Sequence, residues 1–153
     1  MADRSLASRL LLKPGQRLAL IEAPEDARGL YQELPAGATL AHGDPKGADV
    51  VHLWVRDRAQ LAQTWPAVAA AVSVNTVVWI SYPKRSGRIA TDISRDEGWA
   101  PVLDAGFDPV SQFAVDEDWS ALRFRRDPEL RERRRARGRA SEDGRRRPGP
   151  GST

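Results

Sequence analysis

Three short runs, "QRLALIEA" (16–23), "ADVVHLWV" (48–55) and "NTVVWIS" (75–81), constrain the fold most. Each is apolar at nearly every position, so both faces of the extended chain must be buried, the pattern of strands covered on two sides in a parallel sheet. A different period lies between them. Over 57–73, Leu61, Trp65, Val68 and Val72 recur at spacings of four, three and four, one face of a helix, with Asp57 placed as its N-cap. Pro66 is expected to kink that helix or split it, since its ring removes a backbone donor and crowds the preceding turn.

Local chemistry supplies the remaining elements. "SLASRLLL" (5–12) has helical spacing at Leu6, Leu10 and Leu11 and is stopped by Pro14-Gly15. Pro24 closes the first strand and suits the first turn of a helix over "PEDARGLYQEL", with Glu25 and Asp26 at its positive end and Gly29 as a weak point. "ATLAHG" (38–43) reads as a short strand. "SRDE" (94–97) fits a capping box, Ser94 as N-cap and Glu97 reaching back, and predicts a helix from about Arg95 to Ala105 that Gly106 stops. "FDPVSQFAVDEDW" and "SALRFRR" predict two strands joined by the acidic turn Asp116–Asp118, an antiparallel pair.

A chain of 153 residues that is 41% hydrophobic can bury one core. Strands alternating with helices imply an α/β protein of three layers, a mostly parallel sheet ending in an antiparallel strand pair. The element order resembles the class I methyltransferase-like Rossmann fold in a shortened version, because a strand and a helix are missing between "ATLAHG" and "ADVVHLWV". In sequence, "RLLLKPGQRLALIEAP", "LPAG", "VVWISYPK", "TDISRDEGW" and "WSALRFR" resemble the recurring segments of a small bacterial family of unknown function. The resemblance covers about residues 5–126. It implies the Rossmann-like fold and no established activity.

The net charge of +3 divides unevenly. Residues 127–153 hold 9 arginines and 5 acids, a balance of +4, and residues 1–126 hold 15 bases and 16 acids, a balance of −1. Beyond Asp127 the apolar period is lost and no aromatic residue follows, so 1–126 is expected to be the folded domain and 127–153 a disordered arginine-rich tail, with at most transient helix in 128–137. Arginine outnumbers lysine 21 to 3, a bias that lowers the information in each arginine. The amino-terminal apolar run is too short for a signal peptide core or a span and is broken by Lys13-Pro14-Gly15, and there is no cysteine. A cytoplasmic protein is the expectation.

In open parallel sheets, ligands sit beyond the carboxyl ends of the strands. Those ends are the Glu22–Asp26 loop, Arg56-Asp57, and the Ser81–Arg88 loop, sharing one rim. The candidate ligand residues are Glu22, Trp54, Ser81, Tyr82, Lys84, Ser86, Gly87, Asp92, Arg95 and Asp96, with Lys84 and the Ser86-Gly87 backbone receiving an anion and Tyr82 and Trp54 forming a wall. The plainer alternative has Tyr82-Pro83 as a loop anchor and Asp92 and Ser94 as caps. Cofactor sites of this fold need glycines after the first strand. Here the loop reads "EAPEDARG", whose carboxylates repel phosphate and whose proline donates no hydrogen bond, so no cofactor is expected in a conventional S-adenosylmethionine, NAD or nucleotide pose. Asp44 reads as part of an ordinary turn, His52 as a core residue, and two histidines are too few for a His-rich metal site.

Three functions follow as expectations. The first is a non-catalytic Rossmann-like protein binding a small anionic ligand or a protein partner at the rim. The second is a divergent S-adenosylmethionine-dependent methyltransferase relative with Asp92 or Asp96 as acid or base. The third is an interaction protein whose tail engages an acidic partner or meets nucleic acid weakly and without sequence preference. The edge at "ATLAHG" is the expected surface for a homodimer.

Overall fold

The computed structural model describes residues 5–129 and 131–137. Six strands form one sheet: β1 (Arg17–Ile21), β2 (Thr39–His42), β3 (Val50–Trp54), β4 (Val77–Pro83), β5 (Asp108–Ala114) and β6 (Trp119–Arg125). Their order is β2-β1-β3-β4-β6-β5. The first four run parallel, and β6 is antiparallel to both β4 and β5. Apolar residues at successive positions place one set on each face. Val51, Leu53, Val78, Ile80, Tyr82, Leu122 and Phe124 pack beneath α2 (Arg58–Ala71) and α3 (Ala100–Asp104). Leu18, Leu20, Val50, Trp54, Trp79 and Ala121 pack beneath α1 (Leu6–Arg9) and a 3₁₀ helix, Glu25–Tyr31. The three-layer α/β architecture read from the sequence is therefore present, with β2 at the edge left by the missing strand.

Three local features differ from expectation. Pro66 neither splits nor ends α2, which runs unbroken for 14 residues. Pro66 and Ala62 both lie on the exposed face, so the carbonyl deprived of its partner meets water, while Leu61, Trp65 and Val68 stay buried against the sheet. The segment after β1 is a 3₁₀ rather than an α-helix. The largest correction concerns 94–105: the Ser94 N–H donates to the Glu97 carbonyl in a turn, Glu97 pairs with Arg58 at 3.8 Å, and the helix starts only at Ala100. Gly98, at φ +100°, breaks the backbone path that a capping box needs, and Pro101 in the first turn sets the later start.

The antiparallel pair is pinned by its turn. Asp116 Oδ1 accepts from the N–H groups of Asp118 (2.8 Å) and Trp119 (2.9 Å). Past Arg126, residues 131–137 are helical, and Arg131 reaches back to Asp108 with N–H···O bonds of 3.0 and 3.1 Å. Packed structure thus continues beyond the boundary at 126, and the tail over 138–153 lies outside the described residues. No helix among the described residues is long and apolar enough to cross a membrane.

Candidate functional site

The carboxyl ends of β1, β3 and β4 share one rim, but they do not contribute equally. After β1, Glu22 holds a left-handed backbone (φ 59°), and Pro24 leads into the 3₁₀ helix, where the Ala27 N–H is taken by the Pro24 carbonyl. A shallow pocket of about 290 Å³ lies there, lined by Leu20, Glu22, Ala23, Arg28, His42 and Gly43. After β3, the loop is used to start α2. Asp57 accepts from the Gln60 N–H at 2.9 Å, and Asp92 accepts from the Arg58 N–H at 2.8 Å, so Asp92 caps α2 from a distant loop.

After β4, the loop folds onto the β5–β6 turn. Lys84 N–H donates to the Asp118 carbonyl at 2.8 Å, and Asp118 Oδ1 takes the Arg88 N–H at 2.9 Å. The Arg88 guanidinium closes on the same carboxylate at 2.8 Å and holds it below the usual carboxylate range. Gly87 sits so close that a Cβ would lie 2.9 Å from the Asp118 Cα, and its N–H is bonded to the Lys84 carbonyl. The backbone cradle expected to receive an anion at Ser86-Gly87 is thus closed by the protein's own Asp118.

What remains open is a pocket of about 420 Å³ on the β4–β6–β5 surface. Tyr82, Lys84 and Arg85 line it from β4 and the loop beyond, Ser94, Arg95, Asp96 and Glu97 from the turn before α3, and Gln112 and Ser120 from the antiparallel pair. The pairing of Tyr82 with Ser120 across β4 and β6 fixes the floor. Burial raises the Tyr82 phenol above its ordinary pKa, and Arg95 opposes that rise. Asp96 is engaged by Arg95 at 3.4 Å and Glu97 by Arg58, whereas neither Lys84 nor Arg85 has a carboxylate within ion-pair distance among the described residues. Lys84, which also feels the Asp118 carboxylate, and Arg85 lie outside close ion pairs beside neutral hydrogen-bonding groups and suit a small anion with a polar body.

Of the residues singled out by sequence, Tyr82, Lys84, Arg95 and Asp96 meet in this pocket. Glu22 belongs to the β1–β2 pocket, Ser86 and Gly87 to the turn, and Asp92 to the cap of α2. Trp54 cannot share a wall with Tyr82, because the two lie on opposite faces of the sheet. Trp54 and Ser81 are instead buried in a chain of hydrogen bonds: Trp54 Nε1 to the Tyr31 hydroxyl (2.8 Å), Tyr31 to His52 Nδ1 (2.6 Å) and His52 Nε2 to Ser81 Oγ (2.6 Å). Sequence reasoning missed Arg85, Ser94, Glu97, Gln112 and Ser120. For Ser120 the available signal was its place between Trp119 and Ala121 on a predicted strand; Gln112, which follows Ser111, offered none.

The comparisons concern fold. No family model matches the sequence, and no curated protein matches it in sequence. Among solved structures, the chain is similar to a SAM-dependent methyltransferase from Aquifex aeolicus, with TM-score 0.56 and 10% identity over 80% of this chain and 88% of that one. It is also similar to the pyocyanin biosynthetic protein PhzM (0.52, 11% identity, 79% and 53%) and to the B. subtilis M1A22 tRNA methyltransferase TrmK (0.50, 9% identity, 83% and 67%). This is the methyltransferase-like Rossmann fold. Its cofactor end is altered here. With a side chain at the left-handed turn, a proline in the loop, a 3₁₀ helix after it and the Ala27 N–H already bonded, the residues after β1 do not fit S-adenosylmethionine in the conventional pose.

Proposed function

We propose that this protein is a binding member of the methyltransferase-like fold that takes a small anionic ligand in the β4–β6 rim pocket and does not transfer methyl groups. The same proposal places it in the cytoplasm, within the small bacterial family that its sequence segments resemble. The observation that carries the reading is the pairing pattern around that pocket: every carboxylate lining it is engaged by an arginine, and Lys84 and Arg85 are left for a ligand. Tyr82, Gln112 and Ser120 then supply orientation. The altered β1 loop supports the same reading, since it removes the backbone donors a methyl-donor site uses.

Thermal unfolding of the full chain against pyrophosphate, a sugar phosphate, S-adenosylmethionine, S-adenosylhomocysteine, ATP, NAD and coenzyme A tests it. A ligand at about 100 times its dissociation constant adds about 2.7 kcal/mol of stability. The expected result is a shift with one or more phosphate compounds that Lys84→Ala reduces while the unliganded protein unfolds as before. A shift with S-adenosylmethionine and S-adenosylhomocysteine alone, insensitive to Lys84→Ala, would favour the methyltransferase alternative instead.

A further inference from the structure

We infer that the arginine-rich helical segment over 131–137 is a nucleic-acid-binding arm, fixed to the fold at Arg131 on the rim opposite the ligand pocket. The root of the arm is built into the domain. The Arg131 guanidinium binds both Asp108 carboxylate oxygens and donates to the carbonyls of Leu103 (2.9 Å) and Phe107 (3.3 Å), tying α3 and β5 together at one point. Its side chain is only 25% exposed and that of Asp108 only 17%, so this is a structural tie rather than a solvated pair. Arg134 adds a bond to the Pro109 carbonyl at the start of edge strand β5.

Position in the sheet gives the direction. β5 and β4 are both antiparallel to β6, so Asp108 lies at the rim from which the parallel strands start, and Lys84 lies at the rim where they end. The anchor of the arm at Asp108 and the ligand pocket therefore lie at opposite rims.

Charge identifies the partner. Arg133, Arg134, Arg135 and Arg137 are exposed on the helical segment with Glu132 its one acid, and the sequence beyond adds Arg139, Arg145, Arg146 and Arg147 against Glu142 and Asp143. The chain's preference for arginine over lysine, 21 to 3, accounts for the choice of base but not for this excess, because residues 1–126 balance at −1. Planar guanidinium groups bind phosphate oxygens in bidentate fashion. Ala136 is the one apolar residue of 131–137, which gives the segment no face to bury in a lipid surface or a protein groove. The partner that fits is a phosphate backbone, read without sequence preference.

The test is fluorescence anisotropy of the full chain with a labelled mixed-sequence DNA duplex across a salt series. The quadruple substitution of Arg133, Arg134, Arg135 and Arg137 to Gln alters exposed side chains only, and circular dichroism checks that its fold is kept. It is expected to lower the slope of log K against log salt by about 3 to 4 and to weaken binding at least tenfold at low salt. Lys84→Ala is expected to leave duplex binding unchanged, so this result is independent of the ligand proposed for the rim. Binding with an unchanged slope in the quadruple variant, loss of binding in Lys84→Ala, or displacement of the duplex by an equal charge of polyglutamate would each overturn the inference.

Discussion

His52 sits at the centre of a buried polar chain on the face of the sheet beneath the 3₁₀ helix, and its neighbours decide its protonation. Trp54 can only donate, so the Tyr31 oxygen accepts from it, and the neutral imidazole joins Tyr31 and Ser81 through one donating and one accepting ring nitrogen. Full burial lowers the His52 pKa to about 3, and Tyr31 is pushed well above its ordinary value by the same desolvation. The unfolded chain protonates this histidine near 6.5, so between the two values the unfolded state binds more protons and stability falls as pH falls. Chemical denaturation between pH 7 and pH 5 should show that loss, steepening toward about 1.4 kcal/mol per pH unit below 6.5, before carboxylates begin to titrate. A flat profile over that range would mean that His52 is not held neutral.

Among the elements, the strands were legible and the segment before α3 was not. Buried parallel strands announce themselves by consecutive apolar residues, and an acidic turn flanked by two such runs announces a hairpin, so the six strands could be placed from sequence. "SRDEG" carries two signals that conflict: a capping box that begins a helix, and a glycine four residues on that can take a left-handed backbone. The glycine prevails because Ile93 and Arg58 pack against its Cα; a Cβ there would meet the Ile93 side chain at 3.0 Å and the Arg58 Nε at 3.2 Å. Gly98→Ala is therefore expected to destabilise the fold by about 1–3 kcal/mol in denaturant melts, from strain at φ +100° together with crowding. An unchanged midpoint would show that the 94–98 turn is free to move. The site was half legible for a related reason. Tyr82 and Lys84 follow a predicted strand end, whereas Gln112 and Ser120 reach the pocket through the register of β6 on β4, a long-range pairing that local sequence does not encode.

For the whole molecule, the proposed binding site lies away from the β1 end of the sheet. The β1 end, where loop backbone would ordinarily receive a cofactor, is occupied by Glu22, Pro24 and a 3₁₀ helix, and the second expected cradle at Ser86-Gly87 is closed by Asp118. The open, cation-lined space lies on the opposite side of β4, over the antiparallel pair. The most direct check is an amide NMR titration of the full chain with pyrophosphate at physiological ionic strength. Shifts clustered at Tyr82, Lys84, Arg85, Arg95, Gln112 and Ser120 are the predicted result. Shifts confined to Leu20, Glu22, Arg28, His42 and Gly43 would return the binding site to the cofactor end of the fold and contradict the proposed function.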